Sequence, residues 1–137
     1  MNSTDGQKTT PFFKFEKLRI YHKSITFATA VLVIYDLATT ESDRLVAKRL
    51  FKAASMITNN IAEGSCTSKS EFIGFLLQAK GKMRECVILS EILLNRKVID
   101  EEQSNDIRNE LIELTKMAGA LIVSLQGQRR LCNPKNW

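Results

Sequence analysis

The stretch Arg49-Leu50-Phe51-Lys52-Ala53-Ala54-Ser55-Met56-Ile57-Thr58-Asn59-Asn60-Ile61-Ala62-Glu63-Gly64 decides the fold. Leu50, Ala54, Ile57 and Ile61 recur at helical spacing, with Val46 and Ala53 beside them. The helix runs into small and polar residues, and Gly64 is expected to end it as a left-handed glycine. Four residues on, Ser68-x-x-Glu71 reads as a capping box, hydroxyl and carboxylate each satisfying a free N–H of a new first turn. One helix stopping and another starting within so few residues predicts antiparallel neighbours.

The flanking segments extend this pattern. Leu18, Tyr21, Ile25, Ala28, Leu32 and Tyr35 alternate spacings of three and four residues. So do Phe72, Leu76, Ala79, Met83, Cys86, Ser90 and Leu93, and again Ile107, Leu111, Leu114, Ala118, Leu121 and Leu125. A period near 3.5 is that of a left-handed helical bundle. Thr40-x-x-Asp43 marks the start of the second helix, and Asp100 with Gln103 that of the fourth. The only prolines, Pro11 and Pro134, lie near the ends. The expected architecture is all-α, an antiparallel up-down-up-down four-helix bundle over residues 12–126. A polar lead-in, 1–11, precedes it and a basic tail, 127–137, follows. A chain of 137 residues suffices for one such core.

Apolar coverage is wider than one core face requires. Phe27, Val31, Ile34 and Ala38 form a further stripe on the first helix, and Ile73, Leu77, Val87 and Ile88 widen the third. An amphipathic helix in a monomeric bundle needs one such stripe. The extra stripe on helix one is therefore expected to be an oligomer interface, and the chain a homo-oligomer. Asn59, Asn60, Glu63 and Gly64 are expected to serve as a turn or subunit contact. Glu63 at a helix C-terminus opposes the macrodipole and calls for a cation, such as Arg49 or Lys52 of a neighbouring subunit. Gly74, Gly81 and Gly119 inside helices predict close helix–helix approach.

Net charge is +5, but it is segregated: residues 100–126 sum to −4 and the remainder to +9. The basic side chains Lys17, Arg19 and Lys23, then Lys48, Arg49 and Lys52, then Lys80, Lys82 and Arg84, with Arg129 and Arg130 in the tail, are candidate phosphate contacts to RNA or DNA. Most phenylalanines fall on apolar stripes, which argues against base stacking. His22, the only histidine, has no orienting partner at helical spacing. Cys66, Cys86 and Cys132 show no C-x-x-C spacing, and Glu110 with Glu113 lacks the Glu-x-x-His pattern of a di-metal bundle. No catalytic role, metal or cofactor is expected. The most apolar run, Ala28 to Ala38, is short and contains Asp36, so no membrane association and a cytoplasmic location are expected.

Arg49-x3-Ala53-Ala54-Ser55-x-Ile57-x-Asn59-x-Ile61-Ala62-Glu63-Gly64, followed by Glu71-Phe72-x2-Phe75-Leu76-x2-Ala79-x-Gly81-x3-Glu85, resembles the four-helix-bundle proteins encoded by 23S rRNA intervening sequences. The resemblance covers most of residues 12–126. It implies small helical bundles that assemble as ring-like homopentamers. In shape these are similar to the basic, nucleic-acid-binding accessory proteins of diversity-generating retroelements, which contact a reverse transcriptase. The resemblance thus adds a second expectation, an oligomeric scaffold for such a protein partner. This chain departs from the family pattern at Gly81-Lys82-Met83, where a serine usually follows the glycine, and at Cys86, where leucine is usual. The aromatic-proline turn often found before the second helix is absent.

Overall fold

Three polar N-caps, the second and third of them reciprocal, divide the chain into its helices. Thr40 Oγ1 accepts from the Asp43 N–H at 3.1 Å. Ser68 Oγ accepts from the Glu71 N–H while Glu71 Oε1 accepts from the Ser68 N–H. Asp100 and Gln103 make the same reciprocal exchange at 2.8 and 2.9 Å. Each cap satisfies N–H groups that a first helical turn leaves unpaired. The resulting elements are α1 (Arg19–Leu37), α2 (Glu41–Ser65), α3 (Lys69–Asn95) and α4 (Glu101–Cys132), with a 3-10 turn at Lys14–Lys17 before α1. This is a computed structural model that describes residues 12–132, with side chains to Gly127. No strand occurs among the described residues, and no described helix is long and apolar enough to cross a membrane. The expected lead-in 1–11 lies outside the described residues, whereas α4 runs through Cys132, past the expected boundary at 126.

The helices pack as a closed cycle of neighbours. α1 lies beside α2, α2 beside α3, α3 beside α4 and α4 beside α1, while among the described residues neither diagonal pair brings its backbones as close. Side chains show how α2 and α3 run past each other: Arg96 reaches Asp43, Arg49 reaches Glu85, and Gly64 lies against Phe72 and Phe75. Leu50, Ala54, Ile57 and Ile61 of α2 are fully enclosed, as are Leu76, Ala79, Cys86 and Leu93 of α3. Each enclosed Leu or Ile contributes about 1.5–3 kcal/mol relative to exposure. On α4 the seam is Ile107, Leu111, Leu114, Ala118 and Leu125, with Ile122 more enclosed than the expected Leu121.

On α1 the core face is the stripe that was expected at an oligomer interface. Phe27, Val31, Ile34 and Ala38, expected at an oligomer interface, are between 1% and 6% exposed within the single chain. They continue a strict heptad seam through Ser24 and Ile20. Ser24 is buried without penalty because its hydroxyl donates to Tyr21 O at 2.7 Å and accepts from Thr58 Oγ1 at 2.9 Å. The stripe expected in the core is split: Ala28 is buried and Leu18 and Tyr21 are half-buried against the core, whereas Ile25, Leu32 and Tyr35 are 40–46% exposed.

The helix stops also differ from expectation. Gly64 is not left-handed; α2 continues through it to Ser65. The one described non-glycine residue with positive φ is Lys97, at 61°. It closes α3 in a Schellman motif, in which Val98 N–H donates to Leu93 O and Lys97 N–H to Leu94 O. Gly64 is instead a close-approach residue. A Cβ there would sit 2.7 Å from both Phe72 Cδ1 and Phe75 Cβ. At Gly74 and Gly119 an added Cβ meets nothing within 4 Å, and at Gly81 only the Arg84 guanidinium at 3.7 Å, so none of these marks a tight helix contact.

Candidate nucleic-acid interface

A helix repeats every 3.6 residues, so side chains four apart stack along one face about 6 Å apart. Arg44, Lys48 and Lys52 occupy such a row on the outer face of α2, all exposed. Arg44 Nε donates to Ala38 O at 3.0 Å, which anchors that end of the row over the C-terminus of α1. Tyr35, Glu41, Ser42 and Leu45 complete a shallow hollow around Arg44 and Lys48. Among the described residues none of the three cations is ion-paired. A row of unpaired cations along a rigid helix is suited to phosphates.

Other predicted phosphate contacts are engaged inside the chain. Lys23 Nζ lies 2.8 Å from Glu113 Oε1 and 3.5 Å from Glu110 Oε1. The Glu113 hydrogen bond holds the Lys23 ammonium above its usual pKa, and Lys23 in turn holds Glu113 below its own. Arg49 Nη2 and Lys82 Nζ converge on the two Glu85 oxygens at 3.3 and 3.2 Å. Lys82 first, then Arg49, keeps Glu85 ionised below the usual carboxylate range. These pairings answer three of the expected free cations, and the Lys23 pair sets Glu110 and Glu113 of the acidic α4 against α1. Lys17, Arg19, Lys48, Lys52 and Arg84 remain exposed, and Lys80 is half-buried. The side chains of Arg129 and Arg130 lie outside the described residues. Arg84 stands apart from the α2 row. It belongs to a groove between α3 and α4 with Arg108 and Lys116, two cations the sequence reading did not single out because they sit in the acidic segment.

The residues expected at a turn or subunit contact scatter. Asn59 is exposed and lines a groove of about 400 Å³ between α1 and α2, with Ile25, Leu32, Phe51 and Ala62. Asn60 is buried, and its carboxamide has no hydrogen-bond partner among the described residues. Glu63 is exposed and unpaired among the described residues. Within the chain Arg49 answers Glu85 instead. His22 Nε2 lies 2.6 Å from Glu16 O, a contact that ties α1 to the preceding turn. Burial, then the neighbouring Glu85, pushes the Cys86 thiol up to about 12, so it is an inert core residue.

A family model described as 23S rRNA-intervening sequence protein matches residues 16–120. Among solved structures, one similar chain is a crystal structure of a protein with unknown function from the S23 ribosomal protein family of Bacteroides thetaiotaomicron. The two are 26% identical with a TM-score of 0.69, the match covering 75% of this chain and 97% of the other. No curated protein matches.

Proposed function

We propose, for a chain that belongs to the 23S rRNA-intervening sequence protein family, a non-catalytic role: an up-down-up-down four-helix bundle that self-associates and binds RNA or DNA through phosphates. The observation that carries this reading is the exposed row Arg44, Lys48 and Lys52 on α2, without an ion-pair partner among the described residues. The intramolecular pairing of Lys23, Arg49 and Lys82 removes those three from the interface and leaves that row as its centre, with Lys17, Arg19 and Lys80 as further candidate contacts. Self-association is assigned to the outward α1 stripe, where Ile25 and Leu32 rim the α1–α2 groove beside Phe51. Apolar surface of this kind on a small soluble helix pair is expected to be covered by a partner. Several bundles assembled together would present several α2 rows to one nucleic acid.

Fluorescence anisotropy with a labelled RNA and a labelled DNA duplex tests the binding. If an assembly neutralises about six phosphates, the log–log salt slope is near −5 on the duplex and about −4 on the single strand. Absence of binding at low ionic strength, or binding insensitive to salt, would contradict the proposal. A second reading, an oligomeric protein-interaction scaffold such as an accessory subunit contacting a reverse transcriptase, is favoured by a different observation. Leu77, Ile88, Ile112 and Val123 leave apolar surface on α3 and α4.

A further inference from the structure

The groove between α3 and α4 has an unusual composition for a solvated seam. Met83 and Leu111, both buried, form its floor; Val87 is half-buried, and Ile112 is 43% exposed at the rim. The Thr115 hydroxyl proton is directed to Leu111 O at 2.7 Å with Met83 Sδ at 3.4 Å, so this side chain offers an occupant only an acceptor. The rim carries Arg84 from α3 and Arg108 and Lys116 from α4, all exposed. No carboxylate lines the groove, and among the described residues none of the three cations is ion-paired. Elsewhere on the molecule Lys23, Arg49, Lys82 and Arg96 all find acidic partners.

Apolar floor and cationic rim together define the occupant. Arg108 and Lys116 are eight residues apart on one helix, about 12 Å along the groove. A single-headed anion such as a fatty acid would use one end and leave the other cation over its tail. Nucleic acid fits poorly, because phosphates gain nothing from an apolar floor and no aromatic side chain lines the groove for base stacking. A helical segment with leucine-like side chains on one face and carboxylates along both edges meets every feature at once. The groove, about 270 Å³, takes a few such side chains and not a whole domain. We infer that the α3–α4 groove of this protein is a docking site for an acidic amphipathic helix of a protein partner. This rests on the scaffold reading and is independent of the α2 row.

The test uses the full chain and a fluorescein-labelled synthetic peptide of about 16 residues, long enough to form a helix on binding. Leucines occupy one helical face and glutamates flank them. One control peptide has the same composition with the leucines scattered; the other replaces glutamate by lysine. The first peptide should bind, and both controls should bind at least roughly tenfold more weakly. Arg108→Glu with Lys116→Glu should abolish binding, and Ile112→Ser should weaken it, with circular dichroism unchanged in each. Lys48→Glu with Lys52→Glu should leave peptide affinity intact while reducing RNA binding, so that the two readings fail separately. Equal binding of the scattered peptide, no binding of the designed one, or undiminished affinity in the Arg108→Glu/Lys116→Glu protein would overturn the inference. So would loss of RNA binding, with peptide binding retained, in that double variant.

Discussion

At the scale of single residues, Gly64 shows how one sequence signal can arise from two physical causes. A glycine at the end of an apolar helical run reads as a left-handed stop, and the same residue is demanded where two backbones crowd. The crowding comes from Phe72 and Phe75, one helix further along, which no local pattern at residue 64 reports. The left-handed position falls on Lys97, a residue type that gives no such signal. Gly64→Ala should therefore destabilise by about 1–3 kcal/mol through overpacking, because Phe75 Cβ is fixed to its backbone. Gly81→Ala, with only a mobile guanidinium nearby, should stabilise by up to about 1 kcal/mol. Lys97→Gly should relieve the left-handed strain and stabilise by about 1 kcal/mol. Urea unfolding of the three variants checks all the signs; a stabilised Gly64→Ala protein would refute the close-approach account.

At the scale of elements, the helices of this chain were largely legible and the faces of α1 were not. N-caps are local hydrogen-bond chemistry, so Thr40, Ser68 and Asp100 read correctly from sequence. On α3 one seam dominates, and Phe72 through Leu93 are buried as expected. On α1 two apolar stripes compete, and the true seam contains Ser24, whose burial depends on Thr58 from another helix. A distant hydrogen bond leaves no periodic trace. The α2–α3 contact has its own test in the Arg96–Asp43 pair, Nε to Oδ1 at 2.7 Å with the carboxylate mostly enclosed. Arg96 first, and then the Thr40 hydroxyl, holds Asp43 below the usual carboxylate range. A carboxyl whose folded pKa is depressed stabilises the fold above its unfolded pKa, and that contribution disappears as pH falls through the folded value. Asp43→Asn should thus be less stable than the parent at neutral pH. The gap should close on acidification below the ordinary carboxylate range, as followed by thermal unfolding against pH. A gap of constant size down to the lowest pH would show that the charge is not what matters.

At the scale of the whole molecule, three faces divide the proposed work: the α1 stripe for like subunits, the α2 row for phosphates, and the α3–α4 groove for an acidic helix. The candidate site was only partly legible in the sequence. Counting cations located Lys48 and Lys52, but not which of the others, Lys23, Arg49 and Lys82, would be answered by Glu113 and Glu85 across helix boundaries. Placing charge on the outward stripe tests assembly: Ile25→Glu with Leu32→Glu should convert the particle from a multiple of 15.5 kDa to the monomer in light scattering. Both residues are surface-exposed, so the helices should persist by circular dichroism. An unchanged mass would move the subunit contact elsewhere. The most direct test of nucleic-acid binding is fluorescence anisotropy of a labelled RNA at low ionic strength with the parent protein and Lys48→Glu/Lys52→Glu. The account predicts binding by the parent and a loss of roughly tenfold or more in the variant; equal affinity of the two, or no binding by either, would contradict it.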